Sequence, residues 1–212
     1  MKPPLISTVL AALALGATSP AMAQNDLALT QGGRPLYLGG RLGLSMATLT
    51  GEDVDDTRLR SRNGFSISGF ATIRLGPNFA LEPAVGYAEK GAALKADLGG
   101  ATVKADYLSA PLLAVGLMPV NPQVNLRVFA GPCLSILLSA KVKQGTRTQD
   151  VKDETRPVDL GLVAGAGLDV ALPGGLLIFD LRYEVGLLTV DDTSREDDIR
   201  NRVLSANGGF AF

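Results

Sequence analysis

The chain has 212 residues, with 20 basic and 21 acidic side chains, 25 glycines, one cysteine, and no histidine or tryptophan. That length allows one domain with a real core. The near-balance of charge gives no basic face for nucleic acid, a lone Cys133 cannot form an intramolecular disulfide, and the lack of histidine removes the commonest general base and metal ligand.

The first element is an export signal. Met1-Lys2 is a short positive start, Leu5 to Gly16 is apolar, and Ala21-Met22-Ala23 before Gln24 is a small-x-small cleavage site. The apolar run is shorter than the ~20 residues that a membrane-spanning helix needs. Residues 1–23 are therefore read as a signal peptide for the general secretory route. Residues 24–34 form a short N-terminal segment and 35–212 a single folded domain.

Period two governs the rest. Phe65, Ile67, Gly69, Ala71, Ile73 and Leu75 alternate with Ser66, Ser68, Phe70, Thr72 and Arg74. Successive side chains of a strand point to opposite faces, so the segment is a two-faced strand. The same rhythm recurs in Phe79 to Ala88 and Leu176 to Leu187. The reading gives eight strands at about 35–46, 64–76, 78–90, 102–118, 123–139, 157–171, 175–189 and 201–212. Register is least secure in the fourth and fifth, which are apolar on both faces in places. The run 160–179 is no helix, because Asp169 interrupts it and Pro173-Gly174-Gly175 breaks it.

Connections alternate in length. Gly76-Pro77-Asn78, 119–122 and 172–175 are tight turns, while 47–63, 90–101, 140–156 and 190–200 are long and polar. Short turns at one end and long loops at the other are the plan of an outer-membrane barrel. The expected fold is all-β: a closed antiparallel up-and-down transmembrane β-barrel of eight strands. A soluble lipocalin-like barrel has the same strand count with polarity inverted. The makeup of the polar face decides. It is mainly Gly, Ala and Ser with one or two charges per strand, which suits a narrow interior better than a wet exterior.

On that face fall Arg41, Arg74, Arg127 and Arg182, with Glu82, Asp159, Asp169, Asp180 and Glu184. Buried charges cost several kcal/mol unless paired, so Arg–carboxylate networks are expected in the lumen, the alternative being charges at a wet barrel mouth. Phe65, Phe79, Tyr87, Tyr107, Phe179, Tyr183, Phe210 and Phe212 are expected outward as interfacial aromatics. Phe210 and Phe212 also supply an apolar, aromatic-ended last strand of the kind that barrel-insertion machinery reads.

With these strands in place, the chain resembles the PorT-like outer-membrane β-barrel family of Bacteroidetes-type bacteria. The resembling pieces are Tyr37–Gly43, Leu81-Glu82-Pro83 through Tyr87–Gly91, Tyr107–Leu112, Gly131-Pro132 through Leu138–Lys141, Asp159–Leu162, Arg182-Tyr183 through Gly186-Leu187, and Asn201-Arg202-Val203 to Phe212. The chain departs from the family at Ser109, often Glu there, and at Cys133, often aromatic. The resemblance implies an outer-membrane barrel. One member is linked to protein secretion, a role the resemblance does not carry to this chain.

No catalytic, cofactor or metal site is expected. A nucleophilic Ser needs a base, and the only pairing considered is Ser139 with Lys141. Glu82 with Asp180 or Glu184 is better read as lumen charge than as a glycosidase pair. The acidic segments 52–56 and 191–198 lack EF-hand spacing and are interleaved with arginines, so they are read as solvated loops. Gly165-Ala166-Gly167 lacks the third glycine of a dinucleotide fingerprint. The functional expectation is a non-enzymatic outer-membrane barrel that presents surface loops for a structural, adhesion or docking role. The alternatives are a secreted ligand-binding barrel and a lipid-modifying barrel enzyme. Expected partners are outer-membrane lipid, the insertion machinery, and an unidentified surface or periplasmic protein, with no nucleic acid.

Overall fold

The computed structural model describes residues 35–50, 59–94, 102–145, 147–152, 156–187 and 200–212. The expected signal peptide, the 24–34 segment and both acidic segments lie outside them. The period-two segments are strands: β1 Leu36–Thr50, β2 Leu59–Arg74, β3 Phe79–Leu94, β4 Thr102–Asn121, β5 Val124–Gln144, β6 Arg147–Asp150, β7 Val158–Leu172, β8 Gly175–Gly186 and β9 Arg200–Ala211. Each long strand pairs antiparallel with its two neighbours, and β1 pairs with β9. The chain is thus a closed eight-stranded up-and-down barrel, with β6 a short addition to the end of β5. Reciprocal bonds between Leu38 and Phe212 (3.1 and 2.9 Å) complete the seam. Closure pairs each of the eight long strands on both sides, which is what allows strands to cross a bilayer.

Turn chemistry sets the short-turn end. Pro173 and Gly174 link the paired residues Leu172 and Gly175, and Gly174 has φ of 93°, as a Pro-Gly type II turn requires. Between β4 and β5, the Gln123 amide donates to the Asn121 side-chain oxygen at 2.9 Å, a local Asx turn after Asn121. Asn78 donates to the Leu117 carbonyl at 2.9 Å and so ties the β2–β3 turn to β4.

The faces sort as the alternation implies. Leu42, Leu44, Ile67 and Leu181 point outward and are 63, 75, 51 and 61% exposed, while Arg41, Ser45 and Thr72 on the other parity are buried. A soluble barrel would lose ~25 cal/mol for every Å² of that apolar wall left in water. In lipid the wall costs nothing. The lipocalin alternative is thereby overturned, because its greasy face would line the cavity.

Three expectations need correction. The strands overrun the expected loops: β5 has 21 residues, which at about 3.3 Å each and a tilt near 40° rises roughly 50 Å, twice the ~25 Å apolar band. The excess projects beyond the band, where pairing continues but both faces can meet water. β6 is a further strand inside what was read as the loop 140–156. Tyr107 faces inward and is 1% exposed, not outward with the other aromatics. Tyr107 keeps the parity of the buried Leu113, Val115 and Leu117, but β4 is apolar on both faces in places, so its sequence offers little contrast to mark the inward side.

Candidate functional site

The lumen is built in floors. Nearest the short turns, Tyr37, Phe70, Ala171, Leu176, Ile178 and Ala211 form an apolar plug. Above it lies a layer of charge. β7 makes room for that layer: Gly167 sits between Arg127 on β5 and Asp180 on β8, and Gly165 between Phe129 and Arg182. A Cβ at Gly165 would stand 2.5 Å from the Phe129 ring, so only hydrogen fits there.

Glu82 is the centre of the layer. Its oxygens accept from Arg41 (3.0 Å), Arg127 (2.6 Å) and the Thr72 hydroxyl (3.0 Å), and Arg182 stands 3.6 Å away. Asp180 takes two bonds from Arg182 (2.7 and 3.1 Å) and one from Asn207 (2.9 Å), with Arg41 Nε at 3.3 Å. Arg127 donates its other arm to Asp169 at 3.1 Å. Arg41 lies over the Phe70 ring at 4.2 Å, and Arg127 and Arg182 lie 5.5 and 5.1 Å from the Phe129 centroid. The rings thus cover guanidinium faces that carboxylates cannot reach. Arg74 projects from β2 toward Asp169 but forms no ion pair among the described residues, and its Nε has no hydrogen-bond partner.

Asp159 and Glu184 belong to a separate cluster nearer the loop end, organised by Lys90. The Lys90 ammonium contacts Glu184 (2.5 Å), Ser135 (3.2 Å) and Asp159 (3.9 Å) and lies 4.9 Å from the Tyr107 ring. Asn201 donates to Asp159 at 3.0 Å.

The nine residues singled out from the sequence therefore all lie within the barrel wall's inner side, divided between two clusters, with Arg74 set apart. Lys90, Thr72, Ser135, Asn201 and Asn207 were missed. Lys90 carries a signal, since it keeps the parity of Glu82, but it stands at the expected end of the third strand, where the alternation fades. Phe210 and Phe212 point outward, 42 and 53% exposed. Chemically the layer can seal: three guanidinium groups and three carboxylates interlock with almost no solvent access, and long side chains close a bore of this size.

A family model described as outer membrane protein beta-barrel domain matches residues 22–192. Among solved structures, neisserial surface protein A is similar over 86% of this chain and 100% of its own, at 17% identity and a TM-score of 0.51. The outer membrane protein OprG from Pseudomonas aeruginosa is similar over 89% of this chain and 99% of its own, at 11% identity and a TM-score of 0.51. At these identities the likeness speaks to the fold alone. A search of curated proteins found no match.

Proposed function

Because this chain belongs to the outer membrane protein β-barrel domain family, we propose that it is a non-enzymatic scaffold that sits in the outer membrane and acts through the loops it presents. The sealed charge layer carries this reading. Among the described residues, Glu82 and the three arginines around it fill the bore at that level, and the interior cavity above it, about 80 Å³, is far below the ~300 Å³ of an ordinary small-molecule pocket. What remains for contact is the end where 51–58, 95–101, 145–157 and 188–199 connect the strands. Docking or adhesion by those loops is the role we assign. Within the family we place the chain beside the PorT-like barrels, on the segments from Tyr37 to Gly43 and Tyr107 to Leu112, and we take 1–23 as its export signal.

The test replaces the four connections by short turns in the full-length barrel. The trimmed protein should still insert and fold, while attachment of whole cells to surfaces or to one another falls. Stable ion conductance by the purified protein in planar bilayers, or a reproducible change in lipid A acyl chains on deleting the gene, would overturn the reading.

A further inference from the structure

On the outward wall of β3, β4 and β5, apolar side chains give way to charge toward the long-loop end. Leu108 on β4 and Ile136 and Leu138 on β5 are the last large apolar residues there, all exposed. Tyr87 lies beside Leu108 in the β3–β4 register and packs against Phe65, with ring centroids 5.4 Å apart. Such aromatics mark the boundary between hydrocarbon and headgroups. The next outward residues are Glu89, Asp106 and Lys104, then Lys141 and Lys143. From Leu126 to Leu138 the wall rises ~30 Å, the thickness of a hydrocarbon core, and Lys141 stands within ~10 Å above it. That is the depth of lipid headgroups. We infer that Lys141 and Lys143, with Lys104, form a binding site for the phosphate of an anionic lipid headgroup in the leaflet on the long-loop side.

Register brings the cations together. Lys104 and Lys141 stand directly opposite each other on β4 and β5, and Thr102 and Lys143 form the next pair on that face. Opposed residues have Cβ atoms ~5 Å apart, so like charges placed there repel unless an anion lies between them. The nearby acids leave a surplus of positive charge. Glu89 takes Arg62 at 3.2 Å and Lys104 at 3.0 Å, and Asp106 stands opposite Glu89, so two cations balance two carboxylates. Lys141 and Lys143 then face Asp150 of β6, which is opposite Lys141 and accepts the Lys152 amide at 3.0 Å. Neither lysine forms an ion pair among the described residues, and both are exposed.

The charge is one-sided. Residues 138–156 carry five basic and three acidic side chains, whereas 47–63 carry three and four, and 190–200 two and five. An anionic leaflet therefore attracts the β4–β5 side of the rim and not the others. Surface lysines alone hold a free phosphate weakly. A lipid adds acyl chains that lie against Leu108, Ile136 and Leu138 directly beneath, so the two contacts act together. The site lies on the strands and is separate from the docking role assigned to the connections.

The experiment uses the full barrel in neutral detergent and diphosphorylated lipid A as the probe, with binding followed by native mass spectrometry. Saturable addition of lipid is expected. In the double variant Lys141→Gln/Lys143→Gln the half-saturating concentration should rise about thirtyfold, the contribution of two cations at a headgroup. Arg202→Gln, an exposed cation on β9 beside the acidic connection, should change it less than about threefold. Both variants alter exposed side chains, so their urea midpoints in phosphatidylcholine vesicles should match the parent's. Dephosphorylated lipid A should bind the parent no more tightly than the double variant. Equal affinity of the parent for the phosphorylated and dephosphorylated lipids would mean that the chains alone are held, and would overturn the assignment. Equal affinity of parent and double variant, or displacement of the lipid by millimolar inorganic phosphate, would do the same.

Discussion

Replacing Glu82 by Gln tests whether the lumen layer is a single interlocked unit. The Glu82 side chain is fully buried and its oxygens lie 3.0, 2.6 and 3.6 Å from Arg41, Arg127 and Arg182. At an effective dielectric near 20, each of these pairs is worth ~4 kcal/mol of gross Coulomb attraction, much of it offset by desolvation and by repulsion from Asp180 and Asp169. Gln keeps the shape but removes the charge, and turns an NH₂ donor toward guanidinium donors. Three arginines then share two carboxylates. Removing one partner of a buried ion pair typically costs ~3–5 kcal/mol, and with three partners here the loss should fall toward the upper end. That is a large share of the ~5–15 kcal/mol available to a domain. The assay is urea unfolding in lipid vesicles, followed by far-ultraviolet circular dichroism because the chain has no tryptophan. Adding Arg41→Met restores charge balance, since Asp180 keeps Arg182 and Asn207, and Asp169 keeps Arg127. The double variant should recover ~1–3 kcal/mol relative to the sum of the singles. A Glu82→Gln loss below ~1 kcal/mol, or strict additivity with Arg41→Met, would refute the idea that this carboxylate holds the layer together.

Other outcomes follow from the same geometry. Leu44→Arg places a charge on the outward wall where Leu44 is 75% exposed, and should cost up to ~2–4 kcal/mol of folding into vesicles, according to its depth in the bilayer. Gly165→Ala drives a methyl into the Leu181 carbonyl and the Phe129 ring, and should lower the urea midpoint by the equivalent of ~1–3 kcal/mol, whereas Gly174→Asn in the turn should cost less. Cys133 is 2% exposed, so the folded barrel should resist a bulky maleimide for hours and react promptly once denatured. Rapid labelling of the folded protein would show that the lumen opens.

How much of this was legible in the sequence follows from where contrast exists. Over the apolar band one face meets hydrocarbon and the other a crowded polar bore, so Leu42 and Leu44 against Arg41, Gly43 and Ser45 announce both the strand and its orientation. Beyond the band the contrast fades. Residues 59–63 and 140–144 read as loop although they continue β2 and β5 as paired strand. β4 misleads differently. Its inner face carries Leu113, Val115 and Leu117, packed on Phe129 and Cys133, so both sides are apolar and Tyr107 was assigned to the wrong one. The charges of the site were visible, but their division into two clusters was not. That depends on the stagger between strands, which puts Lys90 of β3 beside Glu184 of β8, 94 positions along the chain.

The pairing of β1 with β9 has a consequence for how the molecule comes into being. Leu38 waits for Phe212, so the ring stays open until almost the whole chain is available. Contacts so distant in sequence form slowly, because the closure entropy must be met before any reward arrives. Until then the unfinished curl exposes two raw hydrogen-bonding borders and a coat of leucines, a surface that invites sticking to any neighbour. Assembly in water is therefore the hazardous stage of this protein's life, and a chaperone that masks those borders until bilayer entry would do more for its yield than any added strength in the finished wall.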